Sequence, residues 1–211
     1  VRNPSPDSFP RLMLTEYAGW YAMQALAAAG AFRAIVTQAN ASAQRLQDRV
    51  VEDGERATVK RMRLLAAWGS MAEAQYQLHD YAAAAATSAK VLELRRQISP
   101  STVQDARDAS DDQMLAALIA VRLGKFDEAR PLAAQALALH RGYYARNTED
   151  ATQHVQMARA LYVAASAGIG DRAKELAEAK AILERLPPQM GRLISVGRLR
   201  AAIAEERGAR R

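Results

Sequence analysis

The chain has 211 residues, with 29 Lys and Arg against 23 Asp and Glu, a formal net charge of +6 and no cysteine. Half of the residues are hydrophobic but only 6% are aromatic, and alanine dominates the apolar share. These figures exclude disulfides, thiolate chemistry and zinc–cysteine sites, and the acidic residues dilute any field that would make nucleic acid an obligatory partner.

No run of about 18 uncharged apolar residues occurs, so no membrane insertion is expected, and there is no signal-peptide pattern. Val1 in place of methionine predicts a piece cut from a longer protein. The lack of cysteine suits either side of a bacterial inner membrane, with the cytoplasm favoured over the periplasm.

Residues 1–10 (VRNPSPDSFP) carry three prolines and no periodicity, which predicts an extended lead-in. From Leu12, the positions Leu14, Tyr17, Ala18, Tyr21, Ala22 and Ala25 follow the three-and-four spacing of an amphipathic helix, ended by Gly30. A second helix runs from Phe32 to about Val51, with Phe32, Ile35, Val36, Ala39, Ala43, Leu46 and Val50 on one side. Glu52-Asp53-Gly54 forms a turn. The third helix spans Glu55 to Leu78, and the fourth follows the His79-Asp80 turn to about Ile98. Ser99-Pro100-Ser101 is a stop, because proline disfavours helical geometry in the residue before it.

Val103 to Ser110 reads either as loop or as an early start of the fifth helix, and Ser110, Asp111 and Asp112 all suit an N-terminal cap. That helix ends at Gly124, and the sixth runs from about Asp127 to Tyr144, with Pro131 in its first turn or just beyond. The seventh begins at Asn147-Thr148 and ends in Ala167-Gly168. Asp171 caps the eighth, which Pro187-Pro188 closes, and a last helix from Gln189 or Arg192 reaches the basic end. The fold class is all-α, with nine helices and no strand.

A period runs through these elements. The turn residues Gly30, His79, Gly124 and Gly168 are separated by 49, 45 and 44 residues. Small residues follow three of them on one face: Ala84 and Ser88, then Ala129, Ala133 and Ala136, then Ala173 and Ala177. Two antiparallel helices approach to about 8–10 Å only where contact positions carry little volume. The aromatic after the turn (Phe32, Tyr81, Phe126) is expected to plug the gap to the next pair. One such pair cannot bury its apolar face alone, so the pairs must stack.

The residues Trp68, Met71-Ala72 and Gln75-Tyr76, followed by His79-Asp80-Tyr81-Ala82-Ala83-Ala84, resemble the two helices of a tetratricopeptide repeat. Gly124-Lys125-Phe126-Asp127-Glu128-Ala129 matches the family's second-helix start more closely. The spacing exceeds the family's usual ~34 residues, so the chain looks like its longer-helix variants. The resemblance implies a right-handed α-solenoid of about four hairpins over residues 11–188, closed by a capping helix and basic tail over 189–211. It also implies that partners bind along the first helix of each pair. The positions so placed are Tyr17 and Tyr21, then Glu73, Tyr76 and Gln77, then Met114, Leu118 and Arg122, and finally Arg159 and Tyr162. Relatives that clamp a carboxyl-terminal tail use lysine and asparagine where this chain has Ala66, Gly69, Ser70 and Glu73, so that mode is disfavoured.

Chemistry is sparse elsewhere. His79, His140 and His154 share no metal-ligand spacing, and His140 is expected to close its helix as a favourable cation. Gly168-Ile169-Gly170 has no strand before it and no Lys-Ser/Thr after it, so it reads as a helix turn. No catalytic residue, metal or cofactor is expected. Arg192, Arg198, Arg200, Arg207, Arg210 and Arg211 face only Glu205 and Glu206, and no aromatic interleaves them to stack on bases. Arg45 to Arg63 alternates in charge and reads as a solvated face. The expected function is a non-enzymatic module that binds a protein or peptide, such as the sensory or docking part of a bacterial signalling protein. Self-association, or a basic array on nucleic acid or a small ligand, is the alternative.

Overall fold

The computed structural model describes residues 9–48, 54–98, 102–147 and 149–208. Ten helices and no strand occupy them: α1 (Phe9–Ala28), α2 (Phe32–Gln47), α3 (Glu55–Gln77), α4 (Tyr81–Arg96), α5 (Val103–Arg122), α6 (Phe126–Arg146), α7 (Ala151–Ala167), α8 (Arg172–Glu184), α9 (Pro188–Gly191) and α10 (Ile194–Gly208). Most of the lead-in, Val50, the Glu52-Asp53 pair, the Ser99-Pro100-Ser101 stop, Thr148, Arg210 and Arg211 lie outside the described residues. The tenth helix arises because the last predicted segment splits. Pro188 sets the first helical residue of the single turn α9, whose Gly191 carbonyl accepts from Arg200 of α10 at 3.2 Å.

The chain forms two compact units, Val1–Ser99 and Pro100–Arg211. In the first, each helix packs on the next, and α1 also touches α3. Trp68 of α3 joins its two apolar clusters, one around Leu46, Leu64 and Val91 and the other around Met23, Ile35 and Met71. In the second unit α5 to α8 pack consecutively, α5 touches α7, and α10 lies on α7 and α8.

All four turn residues adopt the left-handed conformation: φ is 72° at Gly30, 61° at His79, 74° at Gly124 and 75° at Gly168. Each turn makes the same bonds. The residue after it donates back five positions (Ala31 to Leu26, Asp80 to Gln75, Lys125 to Ala120, Ile169 to Ala164) at 2.9–3.0 Å, and the turn residue itself donates back three positions. This Schellman pattern satisfies carbonyls that the helix end leaves without partners. Among the described residues His79 is the one non-glycine with positive φ, and its Nδ1 lies 2.7 Å from the Tyr81 hydroxyl. A Cβ at Gly124 would meet nothing within 4 Å, so the penalty of Gly124→Ala is purely conformational. It is expected to cost about 1 kcal/mol, read as a lowered midpoint of urea unfolding.

The second helix of each pair buries the same register, counted from its cap rather than from the turn. Four, eight and eleven residues past Ala31, Asp80, Lys125 and Asp171 stand Ile35-Ala39-Ser42, Ala84-Ser88-Val91, Ala129-Ala133-Ala136 and Glu175-Ala179-Ile182, all buried. Ala173 and Ala177 are exposed instead of packed. Ile169-Gly170 lengthens the fourth turn by two residues, and the helical period restarts at Asp171, whose carboxylate accepts from the N–H groups of Ala173 and Lys174. The plug after the turn is also unequal. Phe32 and Tyr81 are half-buried, but Phe126 is exposed.

Of the two readings for residues 103–110, the structure has the long helix. The Thr102 hydroxyl accepts from Asp105 N–H at 3.0 Å, and the Asp105 carboxylate accepts from Thr102 N–H at 2.9 Å. This reciprocal capping box starts α5 seven residues before Ser110, which becomes an interior, buried residue.

Candidate interaction surface

α1 is apolar on two opposite faces. The packed one carries Met13, Glu16, Trp20, Met23 and Leu26. The stripe from which the helix is legible in sequence is the one left outside: Leu14 is 65% exposed, Tyr17 48% and Tyr21 66%. Glu16 tolerates the buried face because its oxygens are matched. Arg45 of α2 donates to Oε1 from Nε at 3.0 Å and from Nη2 at 2.9 Å, and the Ser42 hydroxyl donates to Oε2. A buried carboxylate persists only when paired and hydrogen-bonded in this way. The guanidinium of Arg63 on α3 lies 3.5 Å from the Tyr17 ring centroid, covering one face of a ring whose residue stays 48% exposed. Arg45 therefore pairs with α1 while staying exposed, and Arg63 is half-buried against it.

On α3, Glu73, Tyr76 and Gln77 are half-buried. Gln77 donates to Glu73 at 3.2 Å, and the Tyr76 ring sits 5.6 Å from that of Tyr81. The second unit departs from expectation. Met114, Leu118 and Tyr162 are buried, so they are core residues and present no surface. The runs Met114–Ala120 and Ala160–Ala165 are buried without interruption, which is the pattern of a helix enclosed on every side. Arg122 is exposed, whereas Arg159 is half-buried and ion-paired with Asp111 at 3.6 Å.

The same unit holds a polar layer that motif reading missed. Ser110 Oγ and His140 Nε2 hydrogen-bond at 3.1 Å, and both residues are buried. α6 continues to Arg146, so His140 is an interior residue and not the terminal cation expected from sequence. Burial first, and then the nearby Arg159 and Arg107 guanidiniums, together lower its pKa to about 4. With its amide oxygen turned toward Arg107, the buried Gln153 accepts from Nε at 3.2 Å and Nη1 at 3.1 Å. Gln156 donates to Asp111 at 3.2 Å. Slight burial of Asp150 opposes its charge, but the N–H groups of Thr152 and Gln153 outweigh that and hold its carboxyl below the usual range. The signal in sequence was a lone histidine and a serine thirty residues apart on facing helices, which no spacing rule detects.

The Ser110–His140 pair is closed to solvent, and among the described residues His140 Nδ1 has no hydrogen-bond partner to orient it. No group of three His, Asp or Glu that could hold a metal occurs among the described residues. No helix among them is long and apolar enough to cross a membrane.

Part of the basic end is structural. Arg200 donates to the Leu183 carbonyl at 2.8 Å, near the end of α8. Arg172 donates to the Glu206 carbonyl at 3.0 Å and pairs with its carboxylate. Glu175 occupies a core register position that other hairpins fill with Ile35, Ala84 or Ala129, and Arg141 Nη2 donates to both its oxygens at 3.2 Å. No protein-family model, no curated protein and no solved structure matches this chain.

Proposed function

We propose that the chain is a non-enzymatic protein-interaction module of tetratricopeptide type, in which four hairpins form a right-handed α-solenoid closed by α10. The Schellman bonds shared by the four turns, the shared register of the second helices and the side-by-side first helices within each unit support that reading. The observation that carries the function is the exposed Leu14, Tyr17 and Tyr21 stripe on α1. Aromatic side chains on a fixed helix are what protein interfaces favour, since they bury large area for little lost freedom. On α3, the half-buried Glu73, Tyr76 and Gln77 would add polar and aromatic contacts to the same partner. In the second unit only Arg122 and Arg159 remain of the expected contacts. The placement of such a module in a bacterial signalling protein belongs to the same proposal.

The test is selection of binders from a displayed peptide library, followed by titration of wild type and of Tyr17→Ala with Tyr21→Ala. Selected peptides are expected to bind the double variant about tenfold or more weakly, with an unchanged far-UV circular dichroism spectrum. Peptides indifferent to both substitutions, or no selected peptide at all, would sink the reading.

A further inference from the structure

We infer that the partner of the first unit is an acidic peptide segment, with an Asp or Glu side chain on the Arg63 guanidinium and neighbouring apolar residues over Leu14 and Tyr21. This rests on the interaction reading above and names the partner's chemistry. The observation behind it is how arginines bridge helices in this fold. Arg45, Arg141, Arg159 and Arg172 each reach a carboxylate on another helix, at Glu16, Glu175, Asp111 and Glu206. Arg200 reaches the carbonyls of Leu183 and Gly191, and Arg107 the amide oxygen of Gln153. Arg63 bridges α3 to α1 through the Tyr17 ring instead, at 3.5 Å from its centroid. Its Nε is buried without a hydrogen-bond partner, the Nη edge stays open, and no carboxylate of the described residues pairs with it.

Charge therefore selects the occupant. A half-buried guanidinium has given up part of its hydration, and the π face of one ring returns only part of that. The ring covers one face of the planar group and leaves its Nη edge, where a carboxylate accepts two parallel hydrogen bonds. The same surface disfavours a polyanion. Between Met13 and Phe32 the one charged residue is Glu16, which is buried against Arg45 and Ser42. A phosphate backbone, which needs a row of cations, thus finds apolar side chains along the whole of the α1 side. An acidic residue flanked by apolar ones matches a guanidinium set beside Leu14, Tyr17 and Tyr21. Glu73, ten residues further along α3, repels a second carboxylate, so the acidic end of the segment belongs at Arg63.

The experiment takes the peptides selected on the wild-type chain and makes of each a copy in which every Asp and Glu is Asn or Gln. Both sets are titrated against wild type, Arg63→Gln and Arg63→Lys. The selected peptides are expected to carry an Asp or Glu beside apolar residues and to bind Arg63→Gln about tenfold more weakly. The amide copies are expected to bind wild type about tenfold more weakly and to lose nothing further on Arg63→Gln, because the pair is already broken. Arg63→Lys is expected to fall between, since an ammonium keeps the charge and loses the planar fork. If Arg63→Gln unfolds, the amide copies on wild type carry the test. Selected peptides without Asp or Glu, or amide copies that bind wild type undiminished, would overturn the proposal. So would single-stranded oligothymidylate that binds as tightly as the peptides and is weakened by Arg63→Gln. Peptides weakened by Tyr17→Ala with Tyr21→Ala but indifferent to Arg63→Gln overturn this inference and leave the interaction reading standing.

Discussion

Met114→Ala is expected to lower the unfolding free energy by about 2–5 kcal/mol, the range for deleting a large apolar side chain from a packed interior. Met114 is fully buried at the start of the continuous run Met114–Ala120. The alanines around it carry no spare side-chain length to collapse into the space, so the upper part of the range is expected. Arg122→Ala, on the exposed last turn of the same helix, should stay within about 0.5 kcal/mol of wild type. Urea denaturation followed by far-UV circular dichroism compares the two. A Met114→Ala protein that unfolds at the wild-type midpoint would contradict the core assignment and restore Met114 as a surface candidate.

Acidification is expected to weaken the second unit through His140. In the unfolded chain the imidazole takes up a proton near pH 6.5, whereas the folded one, lowered to about 4, resists it. The unfolded state therefore binds more protons between these values, so stability is complete above about pH 6.5, falls as pH drops, and levels off below about 4. The whole loss is about 3 kcal/mol. Arg107 from α5 and Arg159 from α7 face the ring, and Ser110 offers no negative charge to stabilise an imidazolium. His140→Gln keeps a polar group beside Ser110 and removes the titration, so its stability should be flat between pH 6.5 and 5 where wild type declines. Equal slopes for the two proteins would refute the assignment.

The helices and turns were legible because they depend on neighbours along the chain. Gly30, His79, Gly124 and Gly168 mark turns through backbone geometry alone, and His79 shows that the pattern survives loss of the glycine. The faces were less legible. On α1 the sequence shows an apolar stripe at Leu14, Tyr17 and Tyr21, and the structure packs the opposite side, which contains Glu16. A carboxylate in an apolar arc becomes acceptable only through Arg45, twenty-nine residues away. For α5 and α7 the unbroken apolar runs were themselves the signal of enclosure, and a family template that exposes one side of each first helix overrode it.

The sequence by itself therefore determined the all-α class, the hairpin period and the positions of the turns, since these follow from dihedral preference and local hydrogen bonding. Only the tertiary structure decided which side of each helix faces inward, that Ala173 and Ala177 fall out of register, and that His140 is an interior neutral base. Those outcomes depend on contacts between helices distant in the chain, where a two-residue change in one turn rotates every side chain that follows.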